Sequence, residues 1–348
     1  MTKVNLVSIK KRLLGIYNRK RPPKEGEILP VVIKATDVLS EEDPNIRPHD
    51  SIGFPGGLIY LKKHIPTIIV PDLHARMDFF LNIVFHKDKD EITTIQKLSN
   101  DELQIVCVGD GFHAESRAAT RWLKAYQEYT EEYKNHSYMD DEMRESLGLM
   151  EMVMEMKINF PSNFHFLKGN HENIANERGE GNYPFRKFAM EGEMVTAYIR
   201  NFYSEDFMLQ YYIFEKHLPL LAVGKNFLIS HSEPQRLFTK EEIIHYRKNH
   251  EVIEGLTWTD NNQAEENSVT QMLEYYLGKE GIENYYYFGG HRPVVDLYNQ
   301  RASGRYVQIH NPSKFIIAYI QPEKKIFLRE DIVELENKTE EIVRNKHL

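Results

Sequence analysis

The chain has 348 residues, 41 % hydrophobic and 28 % charged, enough apolar material for one large α/β domain with additions. Lys and Arg number 44 against 52 Asp and Glu, a net charge of −8, which argues against long nucleic acid as a partner because every phosphate contact asks for a cation. The single cysteine, Cys107, excludes a disulfide framework and points to a reducing, cytoplasmic compartment, and no apolar run of about 18 residues is present to span a membrane.

Residues 1–24 carry eight Lys or Arg and no acid, with Leu6, Ile9, Leu13 and Ile16 at helical spacing. Lys10, Lys11 and Arg12 interrupt the continuous apolar core that a secretory signal needs. The stripe predicts a helix packed on its own domain, and its basic face leaves room for a weak contact with an anionic membrane surface or a partner. Residues 20–55 contain six prolines, from Pro22 to Pro55, and read as a loop-rich lead-in. The expected organisation is a basic N-terminal helix and lead-in over 1–57, a main domain over 58–329 and a charged C-terminal helix over 330–348.

Short buried strands are expected at residues 67–70, 104–108 and 164–167, each followed at once by polar residues. Between the second and third lies a helical insert, about 112–160. There Trp122, Tyr126, Tyr129 and Tyr133 form one helical stripe, and Met143, Leu147, Met150 and Met154 form another. A packed helical hairpin is the reading for both. Further strands are expected at 220–223, 226–229 and 285–288, then at 305–309, 315–320 and 325–328, before a terminal helix over 330–345.

Five segments carry the chemistry: Pro71-Asp72-Leu73-His74, Val108-Gly109-Asp110, Lys168-Gly169-Asn170-His171-Glu172, Ser230-His231-Ser232 and Gly289-Gly290-His291. Each follows an expected strand directly, and strand ends on one sheet edge converge in space. Asp, His and Asn suit divalent manganese, iron or zinc without any thiolate. The alternation of a strand turns Asp72 and His74 to one face, so that one ion can take both. An Asp at the next strand tip can bridge two ions about 3.5–4 Å apart.

These motifs, in this order, resemble the calcineurin-like metallophosphoesterase superfamily, closest to the branch of serine/threonine phosphoprotein phosphatases and bis(5′-nucleosyl)-tetraphosphatases. Leu218-Pro219-Leu220 and Trp258-Thr259-Asp260 also match that branch, and the likeness runs over roughly residues 58–320. The resemblance implies an α-β-β-α sandwich with an inserted helical hairpin. It implies two divalent ions, the first held by Asp72, His74 and Asp110, the second by Asp110, Asn170, His231 and His291. His171 would be the general acid, Glu172 would orient it, and a hydroxide held by the metals would attack phosphorus. Cys107 is read as a buried core residue, and His64, His86, His136, His165 and His310 as structural or exposed.

The sequence departs from the pattern at the second motif, which runs Gly109-Asp110-Gly111-Phe112-His113-Ala114-Glu115. His113 stands where the family has the Asp that pairs with the catalytic His, and Ala114 stands where it has a phosphate-gripping Arg. Arg117 and Arg292, with Arg76 and His113, are the candidates for contacting substrate. The expected function is hydrolysis of a phosphomonoester on a protein or small molecule. Cleavage of a phosphodiester or a dinucleoside polyphosphate is the alternative, and a catalytically silent metal-bearing scaffold is the third reading.

Overall fold

A computed structural model describes residues 4–345; the first three residues of the basic stretch and the last three of the C-terminal segment lie outside the described residues. Eleven strands are described: β1 Leu58–Tyr60, β2 Thr67–Val70, β3 Gln104–Cys107, β4 Phe164–Phe166, β5 Leu221–Val223, β6 Phe227–Ile229, β7 Tyr286–Gly289, β8 Asn299–Arg301, β9 Tyr306–Gln308, β10 Ile316–Ile320 and β11 Ile332–Glu334. They form a five-stranded sheet, ordered β11-β10-β2-β3-β4, and a six-stranded sheet, ordered β1-β5-β6-β7-β9-β8. Side-chain alternation assigns each strand residue to a layer. In β2 and β3, Ile69 and Val106 point between the sheets, where they meet Ile229, Phe288 and Val307. Ile68, Val70, Ile105 and Cys107 point outward to the N-terminal helices and the helical hairpin. On the far side Leu221, Val223, Leu228 and Tyr287 pack on helices His250–Thr257 and Ser268–Leu277. The result is the four-layer α-β-β-α sandwich that the motifs implied.

The hairpin consists of helices Ala119–Thr130 and Ser137–Asn159. Met143, Leu147, Met150 and Met154 are all buried, and so are Leu149, Met152, Val153 and Met156 on the other faces. The second helix is therefore a core element, not a groove. Helix Leu6–Tyr17 buries Ile9, Leu13 and Ile16, while Arg12 and Arg19 both pair with Glu151 at 2.7 Å. Its apolar stripe packs on the core, while Val7 stays exposed. Cys107 is buried at the end of β3, where loss of solvent pushes its thiol up. No helix among the described residues is long and apolar enough to cross a membrane.

Two sequence expectations are corrected. The lead-in is not loop-rich throughout, since Glu25–Ser40 is a sixteen-residue helix with Pro30 inside it. Ile28, Val32, Ala35 and Leu39 are buried at helical spacing, and that burial outweighs the one hydrogen bond Pro30 removes. The C-terminal segment is not one helix. Helix Leu328–Asp331 replaces the strand expected at 325–328, β11 follows, and helix Thr339–Arg344 comes last. β11 adds antiparallel to β10 because Ile332 and Leu335 are buried there.

The lead-in is locked to the sandwich by a buried charge cluster. Arg47 donates to Glu42 at 2.8 Å, to the Gly56 carbonyl at 2.6 Å and to the His217 carbonyl at 2.6 Å, and Lys157 reaches the other Glu42 oxygen. Burial alone would raise the Glu42 carboxyl, but Lys157, Arg47 and His165 hold it down at about 2. A depressed carboxylate stabilises the fold above its unfolded value and loses that contribution as pH falls toward 2. Glu42→Ala strands two buried cations and is expected to cost about 3–5 kcal/mol. Urea denaturation at pH 7 checks this, and a loss below about 1 kcal/mol would show that the cluster is not what holds the lead-in.

Candidate metal centre

β2, β3 and β4 run parallel in one sheet, and β6, β7 and β9 run parallel in the other. Their C-terminal ends deliver Asp72, Asp110 and Asn170 from the first sheet and His231, His291 and His310 from the second. The loops are tied by backbone bonds. The amides of Leu73 and His74 donate to the Asp110 carbonyl at 3.1 and 2.8 Å. Glu172 accepts the amides of Asp110, Gly111 and Gly169 at 2.9, 2.8 and 2.6 Å, clamping two loops together. The His171 amide holds Asp110 Oδ1 at 2.9 Å and the His291 amide holds Asp72 Oδ2 at 2.9 Å. His74, Asp110 and His291 have φ of 42°, 52° and 64°, a left-handed backbone that costs about 1–3 kcal/mol per residue and is overcome by these ties. Gly290 is required beside them, because a Cβ there would overlap the Asp72 carboxylate.

The side chains form two groups that share one atom. Asp110 Oδ2 lies 3.7 Å from His74 Nε2 and 3.3 Å from His231 Nε2. In the first group His74 Nε2 also lies 4.0 Å from Asp72 Oδ2. In the second, Asn170 Oδ1 is 2.9 Å from His231 Nε2 and 3.0 Å from His291 Nδ1, and the two imidazoles are 3.3 Å apart. The tautomers follow from the other ring nitrogens. His74 Nδ1 donates to the His113 carbonyl at 3.0 Å, and His231 Nδ1 donates to the Val108 carbonyl at 3.2 Å. Both Nε2 atoms therefore carry lone pairs, aimed at carboxylate and carboxamide oxygens that are also acceptors.

Acceptors that face one another without a donor repel, and a cation between them turns the repulsion into coordination. Asp72 Oδ1 is buried without any hydrogen-bond partner. Burial pushes the Asp72 carboxyl up to about 6, and burial with the neighbouring Glu172 and Asp72 pushes Asp110 well above the carboxylate range. Burial likewise pushes His74 and His291 down to about 3. The donor set fits two divalent ions of the hard or borderline kind.

The residues of a family model described as calcineurin-like phosphoesterase match residues 65–298, more than half of the chain. The chain belongs to the calcineurin-like phosphoesterase family. A protein serine/threonine phosphatase from Saccharomyces cerevisiae, with similarity to human phosphatase PP5, superposes with a TM-score of 0.50 at 12 % identity, covering 94 % of this chain and 90 % of that one. A cold-active protein-tyrosine phosphatase of a psychrophilic Shewanella species covers 80 % of this chain and 82 % of its own at 13 % identity, with a TM-score of 0.44. The first of these supports the shared fold. Among curated protein sequences none matches.

In this phosphoesterase the expected acid, His171, meets His113 and not a carboxylate: the two Nδ1 atoms are 3.1 Å apart. Burial first, then His74 and His113, lower His171 well below the usual imidazole range, and burial lowers His113 to about 3. Phe185 covers both rings, with centroids 3.7 Å from His171 and 5.0 Å from His113. Of the candidate arginines, Arg76 is buried and gives four of its five N–H groups to the carbonyls of Asp72, Leu73, Asn311 and Lys314, which leaves one Nη2 donor and no bidentate grip for phosphate; a strand-end position alone could not show that direction. Arg117 donates to the Ala75 carbonyl at 3.0 Å and pairs with Glu145 at 2.7 Å. It lines a cavity of ≈ 360 Å³ with His74, Glu115, Ser116 and Ser313. Arg292, next to His291 in the chain, forms two 2.7 Å bonds to Asp260 of the Trp258-Thr259-Asp260 segment and is half-exposed.

Four residues near the centre were not site candidates in the sequence, and His310 among them was read as structural or exposed. Glu115 lies 3.6 Å from His74 Nε2, Lys187 pairs with Glu115, Phe185 covers His171, and His310 is buried beside Asp72. Glu115 was visible as a departure from the motif's Gly. His310 follows a strand, as the ligands do, but carries no Gly or Asp companion to mark it. Phe185 and Lys187 sit in a loop with no periodic signal.

Proposed function

We propose that this phosphoesterase hydrolyses phosphomonoesters at a centre of two divalent ions, manganese, iron or zinc. The observation that carries the reading is Asp110 Oδ2, set between two groups of converging acceptor atoms. Asp72, His74 and Asp110 would hold the first ion, and Asp110, Asn170, His231 and His291 the second. Ions so placed supply a Lewis-acid clamp on phosphoryl oxygens and make a water nucleophilic near neutral pH.

The chain's own groups do the rest. His171 Nε2 lies 3.6 Å from Asp110 Oδ2 and so faces the shared ligand, where it is placed to donate a proton to the departing oxygen. Phe185 keeps water from its ring face. Lys187, paired with Glu115, and Arg292, paired with Asp260, would supply the positive charge that Ala114 cannot. With fewer fixed cations than the family pattern, selectivity for a dianionic phosphate is weaker, and a phosphodiester is the second reading. Para-nitrophenyl phosphate and its bis ester, each with added manganese, separate the two. A kcat/KM at least about tenfold higher on the monoester supports the first reading, a tenfold difference being about 1.4 kcal/mol of transition-state binding. A preference for the bis ester supports the second, and no turnover of either with both ions bound supports a silent scaffold.

A further inference from the structure

His310 follows β9, a strand outside the five segments that carry the other ligands. Its side chain is fully buried. Nε2 sits 2.9 Å from Glu115 Oε2, and since a carboxylate only accepts, Nε2–H donates. In that neutral form Nδ1 keeps its lone pair. That atom has no hydrogen-bond partner and lies 3.6 Å from Asp72 Oδ2, itself a ligand of the first position. The two acceptors face each other inside the protein. The opposite tautomer is worse, because it places a lone pair against the Glu115 carboxylate and leaves Nδ1–H too far from Asp72 to bond.

Two atoms each about 2.1 Å from one ion lie about 3.0–3.6 Å apart for bond angles between octahedral and trigonal. The 3.6 Å from His310 Nδ1 to Asp72 Oδ2 falls at the upper edge of that range, and the 3.7 Å between His74 and Asp110 lies just beyond it. Asp72, His74 and His310 each offer an atom within 4.8 Å of the others. Glu115 holds the far nitrogen, as carboxylates hold metal-binding imidazoles generally. Glu115 Oε1 in turn pairs with Lys187.

We propose that His310 Nδ1 is a fourth protein ligand of the first metal position, oriented by Glu115. The inference rests on the two-ion reading and adds to it. With two imidazoles and two carboxylates, the first position prefers zinc or ferrous iron over magnesium, because imidazole suits the softer ions. It also has fewer places left for water and phosphate than a three-ligand position would have.

The test uses full-length apo protein titrated with zinc, with bound metal counted by elemental analysis and the histidines labelled with nitrogen-15. Wild type is expected to bind two ions, and the His310 Nδ1 resonance, assigned by its loss in His310→Gln, moves to the metal-bound range. In folded His310→Gln one of the two zinc affinities falls by about 100-fold or more, and in Glu115→Gln by about 10–100-fold. Two ions with a stationary Nδ1 resonance overturn the proposal and leave the two-ion reading intact. No zinc bound to wild type overturns both. Should His310→Gln not fold, selective labelling and zinc titration of wild type decide alone.

Discussion

Asp110→Asn is expected to lower kcat/KM on para-nitrophenyl phosphate by about a thousandfold or more, while the metal-free variant is at least as stable as the metal-free wild type. The two effects have one cause. Asp110 Oδ2 is the atom common to both ligand groups, and losing its charge weakens both ions, whose Lewis acidity is worth several kcal/mol. Without metal the same charge is a burden. Asp110 is buried beside Glu172 and Asp72, which pushes its carboxyl well above the usual range. A carboxyl raised in the folded state favours folding at low pH and loses that contribution as pH rises through the folded value. Asp72, raised to about 6, behaves the same way; the buried imidazoles, held low, act in the opposite sense in both proteins, so it is the stability of wild type relative to Asp110→Asn that should fall from pH 5 to pH 8. Asn keeps the Oδ1 that accepts the His171 amide and tolerates the left-handed backbone at this position. Thermal melts of both proteins with chelator, across that pH range, check the sign. A variant destabilised by several kcal/mol without metal would mean that Asp110 is structural.

His113→Asp is expected to raise activity at neutral pH and to move the basic limb of the kcat/KM profile upward by about 1–3 units. His171 must carry a proton to act as an acid, and burial together with two neighbouring imidazoles lowers its pKa well below the usual value. The acid form is therefore lost as pH rises through a low value, which places the basic limb of wild type on the acidic side. A carboxylate in place of His113, within reach of His171 Nδ1, stabilises the imidazolium and moves that limb up. His171→Ala, by contrast, should remove about 10²–10⁴ in kcat at every pH where wild type is active. If His113→Asp leaves the profile in place while His171→Ala has the expected effect, His171 acts as a neutral hydrogen-bond donor and the proton comes from water.

What could be read from the residues alone was whatever chemistry is local. Asp72, His74, Asp110, Asn170, His231 and His291 each sit within four residues of the end of a short apolar strand, and all but His231 have a Gly, Asp or Pro marking the turn. Parallel strands then bring them together without further instruction. His310 is also past a strand, but only the neighbouring of β7 and β9 in the sheet places it beside Asp72. Arg76 looked free to meet phosphate, yet its partners are the carbonyls of Asn311 and Lys314, far along the chain. Prolines hid the helix Glu25–Ser40, whose buried Ile28, Val32, Ala35 and Leu39 held the true signal. At the C-terminus high charge suggested a solvated helix, while Ile332 and Leu335 were the residues that decided, by completing a sheet edge.

The central claim is that two ions share Asp110. Crystals grown from metal-free protein and soaked in manganese, with anomalous data collected near the manganese edge, test it most directly. The account predicts two anomalous peaks about 3.5–4 Å apart with Asp110 Oδ2 between them. The first should lie against Asp72 and His74, and the second against Asn170, His231 and His291. A single peak, or two peaks with Asp110 bound to neither, would contradict it.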